Sequence, residues 1–243
     1  PQHDLVERQQ AVDAGGETGV GPRQHGQRGK RGQARDDRRD DRCDDYDNAK
    51  CDNKSKFFAD AAQVEHALET AHRAQPAWDR VKVELRADAL ERAADLLELH
   101  RGELIALLTL EAGKTLGDGI GEVREAADFC RYYAALARQH FASPHLMPGP
   151  TGESNELSLH GRGVFASISP WNFPLAIFLG QVAAAFAAGN AVVAKPAEQT
   201  PIIAFEAVKL LLEAGMPKDA IALLPGRGEV IGAKLVSDRR IAG

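Results

Sequence analysis

Three short stretches of the chain carry side chains that could do chemistry. They are "SISPWNFPLAIF" at 167–178, "KPAEQTP" at 195–201 and "LLPGRGEVIG" at 223–232. In the first, Asn172 stands between Pro170 and Pro174, flanked by Trp171 and Phe173. A donor aimed at negative charge forming on a carbonyl oxygen contributes ~3–4 kcal/mol to a barrier. The plain structural alternative is an Asn that satisfies loop backbone, with the two aromatic rings as packing. In the second, Lys195 and Glu198 offer an ammonium and a carboxylate three positions apart. A donor and an acceptor together suit the two hydroxyls of a ribose. The alternative is a surface ion pair worth ~0–1 kcal/mol. In the third, Gly226, Gly228 and Gly232 read GxGxxxG, one residue longer than the dinucleotide fingerprint. Small residues let backbone approach a ligand, but a plain turn needs them as well.

All three stretches sit where strands should end. "GVFASIS", "NAVVAK" and "AIALLPG" read as short apolar strands. Between and after them run "PLAIFLGQVAAAFAAG", opened by Pro174 and closed by Gly189; "TPIIAFEAVKLLLEAG", with Thr200 as N-cap and Pro201 in its first turn; and "GEVIGAKLVSD". Alternating strands and helices at this spacing predict an α/β fold, a Rossmann-like parallel sheet whose ligands sit beyond the carboxyl ends of the strands.

The preceding stretch is helical. "DAAQVEHALETAHRA" puts Ala61, Val64, Ala67, Leu68 and Ala71 on one face, and Pro76 should end it. "RADALERAADLLELHRGELIALLTLEAGKT" gives two more helices with a break at Gly102. "IGEVREAADFCRYYAALARQHF" gives a fourth, with Cys130 on its apolar face as a small buried residue. "SPHLMPGPTGES" reads as a Pro/Gly loop and "NELSLHG" as a strand.

The first 56 residues differ. They are rich in Gly, Gln, Arg and Asp, their charges nearly cancel, and they hold few large apolar groups. Such a stretch reads as a disordered, low-complexity lead-in, with a domain over 57–243. Cys43, Cys51 and His25 do not have the spacing of a zinc site, so no metal is expected. The whole chain has 243 residues, is 44% hydrophobic and 27% charged, and carries a formal net charge of −5. That balance argues against nucleic acid as a partner. No apolar run is long enough to span a membrane. Three cysteines point to a reducing, cytoplasmic setting rather than a disulfide framework.

Taken together, "GVFASISPWNFPLAIF", "GNAVVAKPAEQTP", "LLPGRGEVIG" and the "EAGKT" at 111–115 resemble the aldehyde dehydrogenase superfamily over about 57–243. "EVREAADFCRYYA" and "SPWNFPLAIFLGQVAAAFAAGN" resemble more closely the pyrroline-5-carboxylate dehydrogenase module of the bifunctional proline utilization A proteins. The resemblance implies covalent catalysis by a cysteine thiolate, with Asn172 holding the oxyanion, hydride passing to NAD and a glutamate activating water. It implies that Lys195 and Glu198 bind the adenosine ribose. Ser169, Pro170 and Trp171 would line the cofactor cleft, Gly228 and Glu229 would lie near the adenine, and Phe173 would wall the aldehyde tunnel. The implied substrate is glutamate semialdehyde, and full-length members are expected to be homo-oligomeric.

This chain departs from the family pattern in one respect. The family's nucleophile and general base match no residue here, so the chain alone is expected to lack turnover and its sheet to leave an unpaired edge. The competing readings are a nucleotide-binding remnant without catalysis and an aldehyde dehydrogenase of another substrate class.

Overall fold

The structure is a computed structural model that describes residues 58–243. The expected lead-in over 1–56, with Cys43, Cys51 and His25, lies outside the described residues.

Four helices come first: α1 (Ala61–Asp79), α2 (Val83–Leu99), α3 (Arg101–Ala112) and α4 (Leu116–Phe141). A capping box opens α1, in which the Asp60 carboxylate accepts from Gln63 N and the Gln63 side chain accepts from Asp60 N, both at 2.8 Å. Val64, Ala67, Leu68 and Ala71 are buried as expected, whereas Ala61 is exposed. Pro76 does not end this helix, which runs three residues further to Asp79. The lost N–H is offset by Trp78, whose ring meets Phe186 edge-on at 5.6 Å and whose Nε1 donates to Phe186 O at 3.1 Å. The break between α2 and α3 falls at His100, two residues before Gly102. Thr115 caps α4 by accepting from Asp118 N at 3.2 Å.

A two-stranded antiparallel ribbon follows, β1 (His145–Met147) with β2 (Asn155–Leu157), every residue of it exposed. The first of these strands falls inside the stretch read as a loop, and the second is shorter than "NELSLHG" suggests. Neither has a buried face to mark it by alternation.

The parallel sheet is built from β3 (Val164–Ile168), β4 (Ala191–Lys195) and β5 (Ile221–Leu223), in the order β3-β4-β5. Helix α5 (Ala176–Ala187) joins the first pair and α6 (Pro201–Glu213) the second. The α/β fold class expected from the sequence is the one observed. After β5 the chain makes a π-helical turn, Gly228–Gly232, and then α7 (Ala233–Ser237). It returns to the far side of β3. There Val164 bridges Ile241 in parallel, Ala242 N donates to Val164 O at 2.8 Å, and Ala166 N donates to Gly243 O at 2.9 Å. The β3 edge of the sheet is therefore met by residues 241–243, while among the described residues β5, at the other end of the order β3-β4-β5, pairs only with β4.

Thr200 does not cap α6. Its φ of −134° and ψ of 53° give no side-chain cap, and among the described residues its buried hydroxyl finds no partner. The Glu111 carboxylate does the capping instead, accepting from Ile202 N at 2.8 Å and Ile203 N at 2.9 Å. A carboxylate pairs two amides and meets the positive end of the helix, which a hydroxyl cannot do.

Helix α4 packs mainly on α2 and α5. Ala126, Ala127, Ala134 and Ala137 keep the contact with α2 and α5 close, and the backbone of α5 approaches the Phe129 ring at Gly180. The turn from α5 into β4 is clasped by the helical part. Arg86 donates to Ala187 O, and Gln75 to Gly189 O at 3.1 Å. Gly189 has φ of +83°, and a Cβ there would meet Asp79 Oδ1 at 2.6 Å.

Candidate functional site

The carboxyl ends of β3 and β4 lie side by side, with Ile168 in register with Lys195 and Ser169 N donating to Lys195 O at 3.2 Å. Ser169 is buried, Pro170 is half-buried, and Trp171, Asn172 and Phe173 are exposed. Gln181 of α5 reaches back to Ile168 O at 3.3 Å. Among the described residues the Asn172 side chain makes no hydrogen bond to protein. It is turned to the outside and not into the aliphatic core, so its amide is free for a ligand oxygen.

Lys195 is 4% exposed at the last position of β4. Its Nζ donates to Pro196 O at 3.1 Å, leaving further N–H groups for a ligand. Burial lowers the pKa of this ammonium, against the opposing pull of Glu198 and Glu229. Glu198 Oε1 accepts from Gly228 N at 2.7 Å and so ties the loop after β4 to the π-helical turn after β5. A Cβ on Gly228 would sit 3.8 Å from Glu198 Oε1, and one on Gly232 would sit 4.0 Å from Lys195 Cδ. Lys195, Glu198, Gly228 and Glu229, picked from two separate stretches, thus meet at one place. Gly226, in contrast, faces Ile231, where a Cβ would come within 2.5 Å. Its role is the tight turn.

The donor set suits a vicinal diol. It has an ammonium with spare N–H groups, a carboxylate with a spare oxygen, and no bulky side chain at Gly228 to close the approach. A cleft of about 630 Å³ lies elsewhere, between α1 and β5, lined by His66, Thr70, Lys218 and Leu223 among others. It holds none of the candidate residues, and strand-end chemistry locates a site more reliably than concavity alone.

Three residues that matter to the site were not singled out as site residues from the sequence. Glu122 of α4 is 2% exposed, and its Oε1 accepts from Leu175 N at 2.8 Å and Ala176 N at 3.4 Å, capping α5 from outside. Lys114 lies 3.2 Å from the other oxygen of Glu122, within ion-pair range but off the line of a directed hydrogen bond. The same ammonium stands 4.0 Å from the centroid of the Phe173 ring. The third is Glu111, the cap of α6. A signal for Glu122 did exist: it shares the helix face of Val123, Ala126 and Cys130, where a lone carboxylate must find partners.

Cys130 is fully buried, and desolvation pushes its thiol up to about 12. It cannot supply a thiolate at neutral pH. Among the described residues no group of three or more His, Cys, Asp or Glu could hold a metal ion, and no helix is long and apolar enough to cross a membrane.

A parallel sheet with crossover helices, and polar groups gathered beyond the strand ends, defines a Rossmann-like α/β protein. The chain belongs to the aldehyde dehydrogenase family, whose model matches residues 41–243. Among curated proteins it is 50% identical over 181 residues to the bifunctional protein PutA of Escherichia coli, covering 74% of this chain and 13% of that one. It is 40% identical over 179 residues to the 1-pyrroline-5-carboxylate dehydrogenase of Anoxybacillus flavithermus, covering 73% of this chain and 34% of the relative. A solved PutA variant from Bradyrhizobium japonicum superposes with a TM-score of 0.75 at 59% identity, covering 76% of this chain and 19% of that one. A 1-pyrroline-5-carboxylate dehydrogenase from Thermus with bound NAD gives 0.72 at 39% identity, covering 76% and 36%. The chain thus spans about an eighth to a third of the length of the curated relatives it matches.

Proposed function

We propose that residues 57–243 form the cofactor-side part of an NAD-dependent aldehyde dehydrogenase acting on glutamate semialdehyde in proline breakdown, in the cytoplasm. The observation that carries this reading is the meeting of Lys195, Glu198 and Gly228 beside the Asn172 loop at adjacent strand ends. The similarity to 1-pyrroline-5-carboxylate dehydrogenases and PutA proteins supports the substrate class.

In this reading the Lys195 ammonium and the Glu198 carboxylate take the two ribose hydroxyls as donor and acceptor. Ser169, Pro170 and Trp171 line the cleft, and Gly228 and Glu229 flank the adenine. Phe173 walls the path of the aldehyde. The Asn172 amide donates to the substrate oxygen as negative charge develops there, an interaction stronger in the transition state than in the ground state. NAD, when bound, accepts the hydride that leaves the substrate carbon.

Cys130 favours a second element of the reading. The described residues hold no competent thiolate, so in this reading residues 58–243 bind the nucleotide without turning over aldehyde.

NAD titration followed by tryptophan fluorescence tests this, because Trp171 is 55% exposed beside the proposed cleft while Trp78 is buried. The expected result is a saturable response that Lys195→Met abolishes. The thermal midpoint should not fall in that variant, since the substitution relieves the burial of a charge. A protein that ignores NAD, or a response that survives Lys195→Met, overturns the binding site. Aldehyde oxidation by the purified chain overturns its inactivity.

A further inference from the structure

The loop from Pro170 to Pro174 has little of its own to hold it. Two of its five residues are prolines without an N–H, and Trp171 and Phe173 are 55% and 40% exposed, so their rings bury only part of their surface. Among the described residues, the side chains of Trp171, Asn172 and Phe173 make no hydrogen bond.

Phe173 O accepts from Ile177 N of α5 at 3.2 Å, and the loop's side-chain contacts come from the helical part. The turn between α3 and α4 closes on Gly113 in the left-handed conformation, at φ of +67°. Lys114 follows it, with its ammonium 4.0 Å from the Phe173 ring centroid and 3.2 Å from Glu122. Glu122, buried on α4, accepts from the two backbone amides directly after Pro174. One ion pair therefore grips a side chain inside the loop and the backbone where the loop becomes α5.

We propose that Lys114 and Glu122 are positioning residues that hold the Trp171–Phe173 loop, and with it the Asn172 amide, over the end of β3. The functional importance of that loop rests on the reading of Asn172 given above. The clamp itself is a separate, measurable property of the chain. Lys114 is the better probe of the pair, because it makes no backbone cap of its own.

The chain has two tryptophans, Trp78 and Trp171, so its two indole N–H groups give two signals in a ¹⁵N-labelled sample. Trp78 donates to Phe186 O in the core and serves as the internal control. In the unaltered protein both indoles should show the heteronuclear NOE of an ordered group. In Lys114→Met the Trp171 value should collapse while the Trp78 value stays. Lys114→Arg, which keeps the charge and can stack on Phe173, should restore it.

Should Lys114→Met fail to fold because it strands the Glu122 charge, the double variant Lys114→Met with Glu122→Gln removes both charges and keeps an acceptor for the α5 amides. The same selective collapse is expected there. An unchanged Trp171 signal in the folded variants, a Trp171 already mobile in the unaltered protein, or equal loss at both tryptophans each overturns the clamp. NAD added to the unaltered protein separates the two ideas. If it shifts neither indole while the variant behaviour is as described, the nucleotide site fails and the clamp stands.

Discussion

The loops that follow β3 and β4 begin side by side and are held in opposite ways. The loop after β4 is secured within the sheet part of the chain. Lys195 is buried and bonded to the next carbonyl, and Glu198 reaches the turn after β5. The loop after β3 is exposed and is gripped from the helical part, by Lys114 on a ring and Glu122 on the start of α5. Where the β4 loop runs into α6, however, that helix start is capped from the helical part, by Glu111. The helical stretch is thus more than a base under the sheet. It sets two of the helix starts that the candidate site depends on, whereas the Lys195–Glu198–Gly228 cluster is held by contacts within the sheet part.

Three substitutions can break or sharpen this contrast. The largest effect is expected from Glu122→Ala, which strands Lys114 and frees two buried amides, at a cost of about 3 kcal/mol in chemical unfolding. Loosening should be greatest around Leu175 and Ala176 in hydrogen exchange, with Gly228 unaffected. Uniform loosening would mean that the two loops are not independently held.

Glu111→Ala comes next. It removes a two-amide cap from α6 and should cost about 1–2 kcal/mol, read as a lower denaturation midpoint with unchanged slope. A cost near zero would mean that Thr200 can rotate to take over the cap.

Glu198→Ala should be the mildest. It frees one exposed amide, that of Gly228, and should cost less than about 1 kcal/mol while leaving the Trp171 loop as it was. A larger loss of stability, or motion at Trp171, would show that the two loops communicate through the turn after β5.

The positions of these groups were unequally legible in the sequence. The strands and crossover helices of the sheet were readable because each carries its own punctuation, such as Pro201 in the first turn of α6 and Gly189 at φ of +83° after α5. The clustering of Lys195 with Glu198 and Gly228 followed from the rule that strand ends gather ligands. Pro76 misled, because the anchoring of Trp78 on Phe186 outweighs the local cost of a proline late in a helix. Thr200 misled in a similar way: a good local cap lost to a carboxylate from a helix about 90 positions earlier in the chain. The exposed ribbon β1–β2 has no buried face, so no alternation could announce it.

By itself the sequence determined most of the local elements, the family pattern and the candidate residues at the strand ends, because turn chemistry and apolar periodicity act over a few neighbouring positions. Only the tertiary structure decided which charges meet. The partners of Glu111, Glu122 and Lys114 lie on other elements, up to 92 positions away for the Glu111 cap. Burial in a shared interior is what makes such distant pairings strong and leaves few alternatives to them.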